Sequence, residues 1–210
     1  MITAVILAAG RAARMGAPKL LLEVGGKTLL ARVITAARAS RCDDVLVVLG
    51  EQAEEVGREA HAAGARTVLN PRYREGMGTS LAAGIGALPP ECEAAVVLLG
   101  DQPCLDAAAI NAIIDAYETT GKPIVASRYG SVLGAPTLIA RALFGEAAGL
   151  TGDVGGRPLI RRDPERVAEV DLSSGMASWD VDTPEDLERL RRAVEGEQPP
   201  RGSPPAAGRA

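Results

Sequence analysis

Residues 1–10 read MITAVILAAG, a run of aliphatic and β-branched side chains that stops at two alanines and a glycine. A continuous apolar run of this length, ended by small residues, is typical of a strand buried in a parallel sheet. Similar runs follow at residues 45–49 (VLVVL) and 94–99 (AAVVLL), with helical patterns between them. Because apolar strands alternate with helices, the sequence predicts an α/β fold with a mostly parallel sheet covered on both faces.

The same patterns predict the remaining elements. Strands are expected at residues 1–7, 45–49, 67–69, 94–99, 123–126 and 167–170, and helices at residues 27–39, 52–63, 79–88, 106–119 and after Thr183. In the less regular second half, a small antiparallel excursion at residues 131–133 leads into a helix from Thr137. We expect a single-domain, Rossmann-like three-layer sandwich over residues 1–195, followed by a disordered Pro/Gly/Ala-rich tail over residues 196–210.

Composition restricts the classes of partner. The chain has 210 residues, 47% of them hydrophobic, which suits a globular core. A net charge of -4 and an aromatic content of 2% provide neither a basic surface nor stacking platforms, so no nucleic acid is expected. Three cysteines and one histidine support neither a disulfide framework nor a zinc site. Because the apolar runs are too short to span a bilayer and no secretory leader is evident, we expect a cytoplasmic protein without a membrane partner.

Two common phosphate-binding loops are excluded, one by its spacing and the other because its segment is absent. Residues 25–28 (GGKT) resemble the end of a Walker A loop, but Leu21 stands where its first glycine belongs. No GxGxxG segment follows the first predicted strand, which argues against a dinucleotide-binding enzyme. No GxSxG segment is present either, and His61 is the single histidine, so a Ser/His/Asp triad is not expected.

A loop of small residues carrying three cations follows the first predicted strand instead. Residues 7–19 read LAAGRAARMGAPK and contain Arg11, Arg14 and Lys19. Small residues let backbone N–H groups approach a ligand, and the cations can neutralise phosphates. The alternative is an ordinary solvated loop. Residues 7–19, however, follow the first strand of an α/β sheet, where ligands usually bind, and this position favours a triphosphate site.

Carboxylates are predicted at the same edge of the sheet. Asp101 lies two residues after the strand predicted at residues 94–99. In a later extended segment, alternation of side chains would place Asp180 and Asp182 on one side. Carboxylates beside a phosphate site suit a Mg²⁺ that bridges phosphates. A turn aspartate before Pro103, and helix capping by the later acids, are the alternatives.

Taken in order, these segments resemble the nucleotidyltransferases of the molybdopterin-nucleotide type. Residues 7–22 match that family's LAAGxxxRMGxxK signature, residues 99–103 (LGDQP) match its metal-binding strand end, and residues 179–187 (WDVDTPEDL) match its second metal motif. Within the family, the resemblance is closest to the molybdenum cofactor cytidylyltransferases. Residues 75–81 (EGMGTSL) and 152–157 (GDVGGR) support it, and it covers about residues 1–195.

The resemblance implies roles for individual residues. Catalysis would rest on Arg14, Lys19 and Asp101, and Mg²⁺ would be held by Asp101 and Asp182. The nucleotide would be bound by Leu7, Ala8, Ala9, Gly10, Arg11, Lys19, Asn70 and Ser80, and the acceptor by Gly152, Asp153, Gly155 and Arg157. An ordinary turn residue at Asn70, an ordinary helix residue at Ser80 and a flexible surface loop at residues 151–157 are the alternatives.

The implied reaction is attack by the terminal phosphate of a molybdopterin cofactor on the α-phosphorus of CTP, with release of pyrophosphate; a client molybdoenzyme is a further possible partner. Ala9 favours CTP, because guanylyl-transferring relatives usually have LAGG at this place. Ala135 stands where family members often have histidine in a GHP segment. The alternatives are a GTP-using enzyme, a transferase of the same fold acting on a sugar or polyol phosphate, and a non-catalytic carrier of the molybdenum cofactor.

Overall fold

The structure, a computed structural model, describes residues 1–10, 18–177 and 179–194. The strands are β1 (Ile2–Ala8), β2 (Glu23–Val24), β3 (Lys27–Thr28), β4 (Asp44–Leu49), β5 (Arg66–Leu69), β6 (Ala94–Leu99), β7 (Ile124–Tyr129), β8 (Val132–Ala140) and β9 (Val167–Asp171). The α-helices are α1 (Leu29–Ala39), α2 (Ala53–Ala62), α3 (Met77–Gly86), α4 (Ala107–Thr120), α5 (Phe144–Ala148), α6 (Arg157–Arg162) and α7 (Pro184–Val194). The 3-10 helices are Lys19–Leu21, Tyr73–Glu75, Arg141–Leu143 and Pro164–Arg166.

Within the described residues, seven strands form one sheet in the order β5-β4-β1-β6-β8-β7-β9, and β2 pairs with β3 in a separate hairpin. Strands β1, β4, β5 and β6 run parallel to one another, and β9 runs parallel to β7. Strand β8 is antiparallel to both of its neighbours, β6 and β7. The prediction of a mostly parallel sheet with a small antiparallel excursion is therefore confirmed.

Successive side chains of each central strand pack on opposite faces of the sheet, which builds the three layers. In β1, Ile6 packs with residues of α1, α2 and α4, whereas Val5 packs with residues of α3, α5 and α6. Strand side chains alternate with a period of two, so a strand with apolar residues at every position must be covered on both faces. The strands and helices thus form the predicted α/β/α sandwich.

The predicted helix from Thr137 is wrong. Residues 137–140 belong to β8, where Thr137 pairs with Val97 of β6 on one side and Ala126 of β7 on the other. Both hydrogen-bonding edges of the segment are filled by neighbouring strands, and this pairing outweighs local helix propensity. The helical chain begins only at Arg141.

The last helix begins as predicted. The N–H of Asp186 donates to the Thr183 hydroxyl at 3.2 Å, and the Asp186 carboxylate accepts the Thr183 N–H at 3.0 Å, a reciprocal cap. Leu187 and Leu190 pack against the buried side chain of Val181. Helix α7 therefore anchors the acidic segment that precedes it.

Two sequence predictions fall outside the described residues. The predicted tail at residues 196–210 does so entirely, and so do Arg11 and Arg14 of the cationic loop. None of the described helices is long and apolar enough to cross a membrane.

Candidate active site

The candidate site lies where parallel strands end at one edge of the sheet. Ala9 follows β1, Asn70 follows β5 and Asp101 follows β6, while Gly50 follows β4. A Cβ on Gly50 would lie 2.5 Å from the carbonyl oxygen of Ala9, so glycine is required for the ends of β1 and β4 to approach this closely. Ligands of open α/β sheets bind in the crevice outside the carboxyl ends of the strands.

An ammonium lies between two carboxylates at this edge. The Lys19 Nζ donates to Asp101 Oδ2 at 2.8 Å and to Asp182 Oδ1 at 2.8 Å. The Lys19 side chain is 15% exposed. Its burial lowers the pKa of Lys19, but attraction and hydrogen bonds from the two carboxylates outweigh burial and hold that pKa above its usual value. These three predicted residues, distant in sequence, are thus brought into one cluster.

The segment carrying Asp180 and Asp182 is tied to the end of β6. The Val181 N–H donates to the Asp101 carbonyl at 3.1 Å, and Gln102 Nε2 donates to Asp180 Oδ1 at 2.9 Å. Val181, between the two acids, is buried at 1% exposure in the cluster formed with α7. Alternation along this extended segment therefore leaves both carboxylates on the side of Asp101, as predicted.

Asp180 is a half-buried carboxyl with an unusual affinity for protons. Burial, followed by repulsion from Asp101, raises its pKa from an ordinary value of 3.8 to about 6, although the hydrogen bond from Gln102 acts in the opposite direction. Three carboxylates therefore share this cluster with one described ammonium, that of Lys19. The cluster has an excess of negative charge that an added cation would offset.

Asp180→Asn is expected to stabilise the metal-free protein near neutral pH. Because the pKa of Asp180 is higher in the folded chain than in the unfolded chain, its contribution to stability is full below about pH 4 and is lost as the pH rises through about 6. The variant should therefore raise the free energy of unfolding by about 1–2 kcal/mol at about pH 7.5 and change it little at about pH 4. Urea denaturation with a chelator at both pH values measures the difference.

The control for this prediction is Asp171→Asn. Hydrogen bonds from Ser173 lower the pKa of the exposed Asp171 carboxyl, so the sign of its pH effect is reversed. That variant should gain no stability at about pH 7.5. Equal stabilisation by both variants would show that the effect at Asp180 does not come from its titration.

The cluster fits a divalent cation supplied with a nucleotide. Asp101 and Asp182 already direct carboxylate oxygens at one cationic atom. Within residues 1–10, 18–177 and 179–194, no group of three or more His, Cys, Asp or Glu side chains is arranged to hold a metal ion. Mg²⁺ is commonly held by one or two carboxylates together with substrate phosphates and water, and this donor set suits that arrangement.

Lys19→Met is expected to strengthen Mn²⁺ binding when no nucleotide is present. The ammonium competes for the same carboxylate oxygens, and two partly exposed ion pairs of on the order of 0.5–1 kcal/mol each correspond to about a tenfold gain in affinity. Titration calorimetry with Mn²⁺ measures it, with Lys122→Met as a distant control. Unchanged or weaker binding by the Lys19 variant would show that the ammonium does not occupy the cation's place.

Asn70 and Ser80 form one buried hydrogen-bonded unit. The Asn70 Nδ2 donates at 3.0 Å to the hydroxyls of both Thr79 and Ser80, and its Oδ1 accepts the N–H of Arg72 at 2.9 Å. Asn70 is 2% exposed and Ser80 is 4% exposed. The described contacts join the end of β5 to the first turn of α3, while a nucleotide contact for these two residues stays a prediction.

A cavity of about 180 Å³ lies between β1, β6, β8, α3 and α6. Most of its lining is apolar and includes Leu7, Leu81, Val97, Leu99 and Ile160. Asp153, Gly155 and Arg157 of the predicted acceptor loop also line it. Met77, Ala135 and Thr137 line it as well. The sequence resemblance singles out Ala135 for the acceptor side, but sequence reasoning missed Thr137, because it predicts a helix rather than a strand from that residue.

The predicted acceptor loop is fastened to the start of α3. The Gly78 N–H donates to the Gly152 carbonyl at 2.8 Å. A Cβ on Gly76 would lie 2.3 Å from the Gly152 carbonyl carbon, so the two backbones pack directly against each other. The sequence segments EGMGTSL and GDVGGR therefore act as one structural unit.

The doubly wound sheet, with an ammonium and two carboxylates at its carboxyl edge, is typical of α/β enzymes that act on nucleotides. The chain belongs to the MobA-like NTP transferase family, whose domain matches residues 4–167. It is a nucleotidyltransferase enzyme.

Relatives of similar length extend the comparison. The chain is 32% identical over 201 residues to nicotine blue oxidoreductase of Paenarthrobacter nicotinovorans, covering 90% of this chain and 96% of that protein. It is similar to a solved Mycobacterium sp. strain JC1 homologue of the Mycobacterium tuberculosis protein Rv0371c (33% identity, TM-score 0.81, 94% of this chain and 98% of that chain). Rv0371c itself was solved in complex with manganese (32% identity, TM-score 0.74, 92% and 99%). A divalent metal is thus consistent with the family.

Proposed function

We propose that this chain transfers CMP from CTP to the terminal phosphate of molybdopterin or the molybdenum cofactor, with Mg²⁺, and releases pyrophosphate. One observation carries the proposal: Lys19 Nζ lies 2.8 Å from both Asp101 and Asp182 at the edge where β1 ends in small residues. Such a cluster suits a triphosphate with its cation. The family match supports nucleotidyl transfer, and the sequence resemblance supports the pterin acceptor.

The chain's own residues would mainly align and neutralise phosphates. A phosphate nucleophile is anionic near neutral pH, so the reaction needs no general base and no covalent enzyme intermediate. Lys19 would leave the carboxylates and hold negative charge on the triphosphate, helped by Arg14 and Arg11. Asp101 and Asp182 would hold Mg²⁺, which when bound supplies Lewis-acid stabilisation of the transferring phosphoryl group.

The acceptor would occupy the cavity between β1, β6, β8, α3 and α6. Leu7 and Leu99 line the cavity and stand two residues before Ala9 and Asp101, so the cavity adjoins the place proposed for the nucleotide. The backbone N–H groups of residues 152–156 and the guanidinium of Arg157 suit an acceptor that carries a phosphate. Ala135 lines the same cavity and brings a methyl group where family members often have an imidazole.

We propose CTP rather than GTP as the nucleotide because of the residue at position 9, which is alanine. Ala9 is 5% exposed and packs against Gly50, whose position leaves no room for a second methyl group. The proposal of CTP therefore rests on the sequence resemblance, in which guanylyl-transferring relatives usually have glycine at this place. Because no GxGxxG segment follows β1, nucleotidyl transfer is proposed rather than the oxidoreductase activity named for one relative.

The experiment is pyrophosphate release with Mg²⁺ and molybdenum cofactor, comparing CTP, GTP and ATP side by side. Release with CTP alone is the expected result. Release with GTP would overturn the interpretation of Ala9, and release only with a sugar or polyol phosphate would replace the acceptor. Binding of the cofactor without turnover of any nucleotide would favour the carrier hypothesis.

A further inference from the structure

Gln102 has a buried side-chain amide that makes one hydrogen bond to the described residues. It follows Asp101 directly and is 5% exposed. Its Nε2 donates to Asp180 Oδ1 at 2.9 Å, while its Oε1 is buried without a hydrogen-bond partner in the described parts of the chain. Burying a polar atom without a hydrogen-bond partner costs free energy. The hydrogen bond to Asp180 is the described interaction through which this side chain can act.

Among the described residues, that bond is one of two hydrogen bonds that join residues 101–102 to residues 180–182 without involving Lys19. The other is the backbone bond from the Val181 N–H to the Asp101 carbonyl, at 3.1 Å. Together they connect residues 101–102 to residues 180–181 at two adjacent points. Lys19 provides a third connection, but a cation held by the same two carboxylates would displace its ammonium.

We propose that Gln102 and Asp180 are a positioning pair that holds Asp101 and Asp182 at the spacing a divalent cation requires once Lys19 has turned to the nucleotide. The pair rests on the proposed cation site of Asp101 and Asp182, and is independent of which base or acceptor the enzyme uses. In this role Asp180 acts as a hydrogen-bond acceptor, not as a ligand of the cation.

This role separates hydrogen bonding from charge. Asp180→Asn keeps an oxygen that can accept the Gln102 N–H but removes the negative charge, whereas Asp180→Ala removes both. A positioning residue is therefore rescued by asparagine, and a metal ligand or an essential charge is not. Gln102→Leu removes the same hydrogen bond by removing its donor, and it places an apolar side chain of similar size in the buried position.

The test is Mn²⁺ affinity of the full chain with CTP bound, measured by titration calorimetry. We expect Asp180→Asn, which loses a negative charge but keeps the hydrogen-bond acceptor, to bind Mn²⁺ only about threefold more weakly than the unmodified protein. Asp180→Ala and Gln102→Leu should each bind it about tenfold more weakly, as for loss of one hydrogen bond to a charged group. The double variant should be no weaker than either single variant, because both remove the same bond. Asp115→Ala on α4 is the distant control, and thermal unfolding verifies that each variant is folded.

Four outcomes would overturn the proposal. An asparagine variant as weak as the alanine variant would make Asp180 a ligand or an essential charge, and additive losses in the double variant would show that the two residues act separately. If the unmodified protein bound no Mn²⁺, or if Asp101→Asn left its Mn²⁺ affinity unchanged, the cation site itself would fail and the pair with it. If CTP gave no turnover while the Mn²⁺ pattern held, only the proposed reaction would fail.

Discussion

Asp101→Asn is expected to lower the rate of pyrophosphate release by about a hundredfold or more, because loss of one of the two carboxylates proposed to hold the cation would remove several kcal/mol of stabilisation from the transferring group. Asparagine has almost the same shape as aspartate, and the Asp101 backbone bond from Val181 does not involve the side chain. Lys19 would also lose one of its two carboxylate partners. Steady-state rates at saturating CTP and Mg²⁺ measure the effect, and circular dichroism verifies the fold.

Asp115→Asn is the matched control for this prediction. Asp115 lies on α4, is mostly exposed and pairs with Arg41 at the surface. The same change of carboxylate to amide there should leave the rate within about twofold, since exposed ion pairs contribute little. Near-normal turnover of Asp101→Asn, with Mg²⁺ still required, would remove Asp101 from the proposed cation site.

Gly76→Ala is expected to lower the free energy of unfolding by about 3 kcal/mol or more, since a strained backbone and overpacking each cost about 1–3 kcal/mol. Gly76 has φ +107, a conformation that L side chains rarely adopt. The added Cβ would also meet the backbone of Gly152 at 2.3 Å, and no rotamer change can relieve a backbone contact. Urea denaturation measures the loss.

Gly86→Ala, at the other end of the same helix, is the matched control. A Cβ on Gly86 meets nothing within 4 Å in the structure, and its φ is not positive. This variant should be neutral or more stable by up to about 1 kcal/mol, because alanine loses less conformational freedom than glycine in a helix. Equal stability of the Gly76 and Gly86 variants would contradict the close packing of α3 on the loop at residues 151–153.

The Gly76 variant also separates the two ends of the site. The loop that it displaces carries the proposed acceptor residues Gly152 and Asp153, whereas Lys19 and Asp101 are held by other elements. Where the variant remains folded, we expect its KM for the acceptor to rise more than its KM for CTP. A larger change for CTP would place the nucleotide, rather than the acceptor, against this loop.

Local patterns were sufficient where a segment's periodicity and its packing agree. Residues 94–99 form β6 with the predicted bounds, because a short run that is apolar at every position can be buried on both faces only in a central strand. Thr183 caps α7 as predicted, since a cap depends on atoms within one turn of helix. The position of Asp101 at the carboxyl edge follows from the same logic, because parallel strands end together. Asp182 reaches that edge only through a long-range contact, the bond from the Val181 N–H to the Asp101 carbonyl.

Other features depend on contacts between residues distant in sequence. Residues 137–140 are a strand because β6 and β7 fill both of their hydrogen-bonding edges, and no local signal reports that pairing. The contact of Gly76 with Gly152, and the bond from Gln102 to Asp180, join segments 76 and 78 residues apart. Periodicity and capping are read within a few residues, so the sequence alone was enough for the parallel strands of the sheet, the last helix and the place of Asp101 at the site edge. The cavity, the fastening of the acceptor loop and the Gln102–Asp180 bond arise from side-chain and backbone packing across the chain, which only the tertiary structure decides.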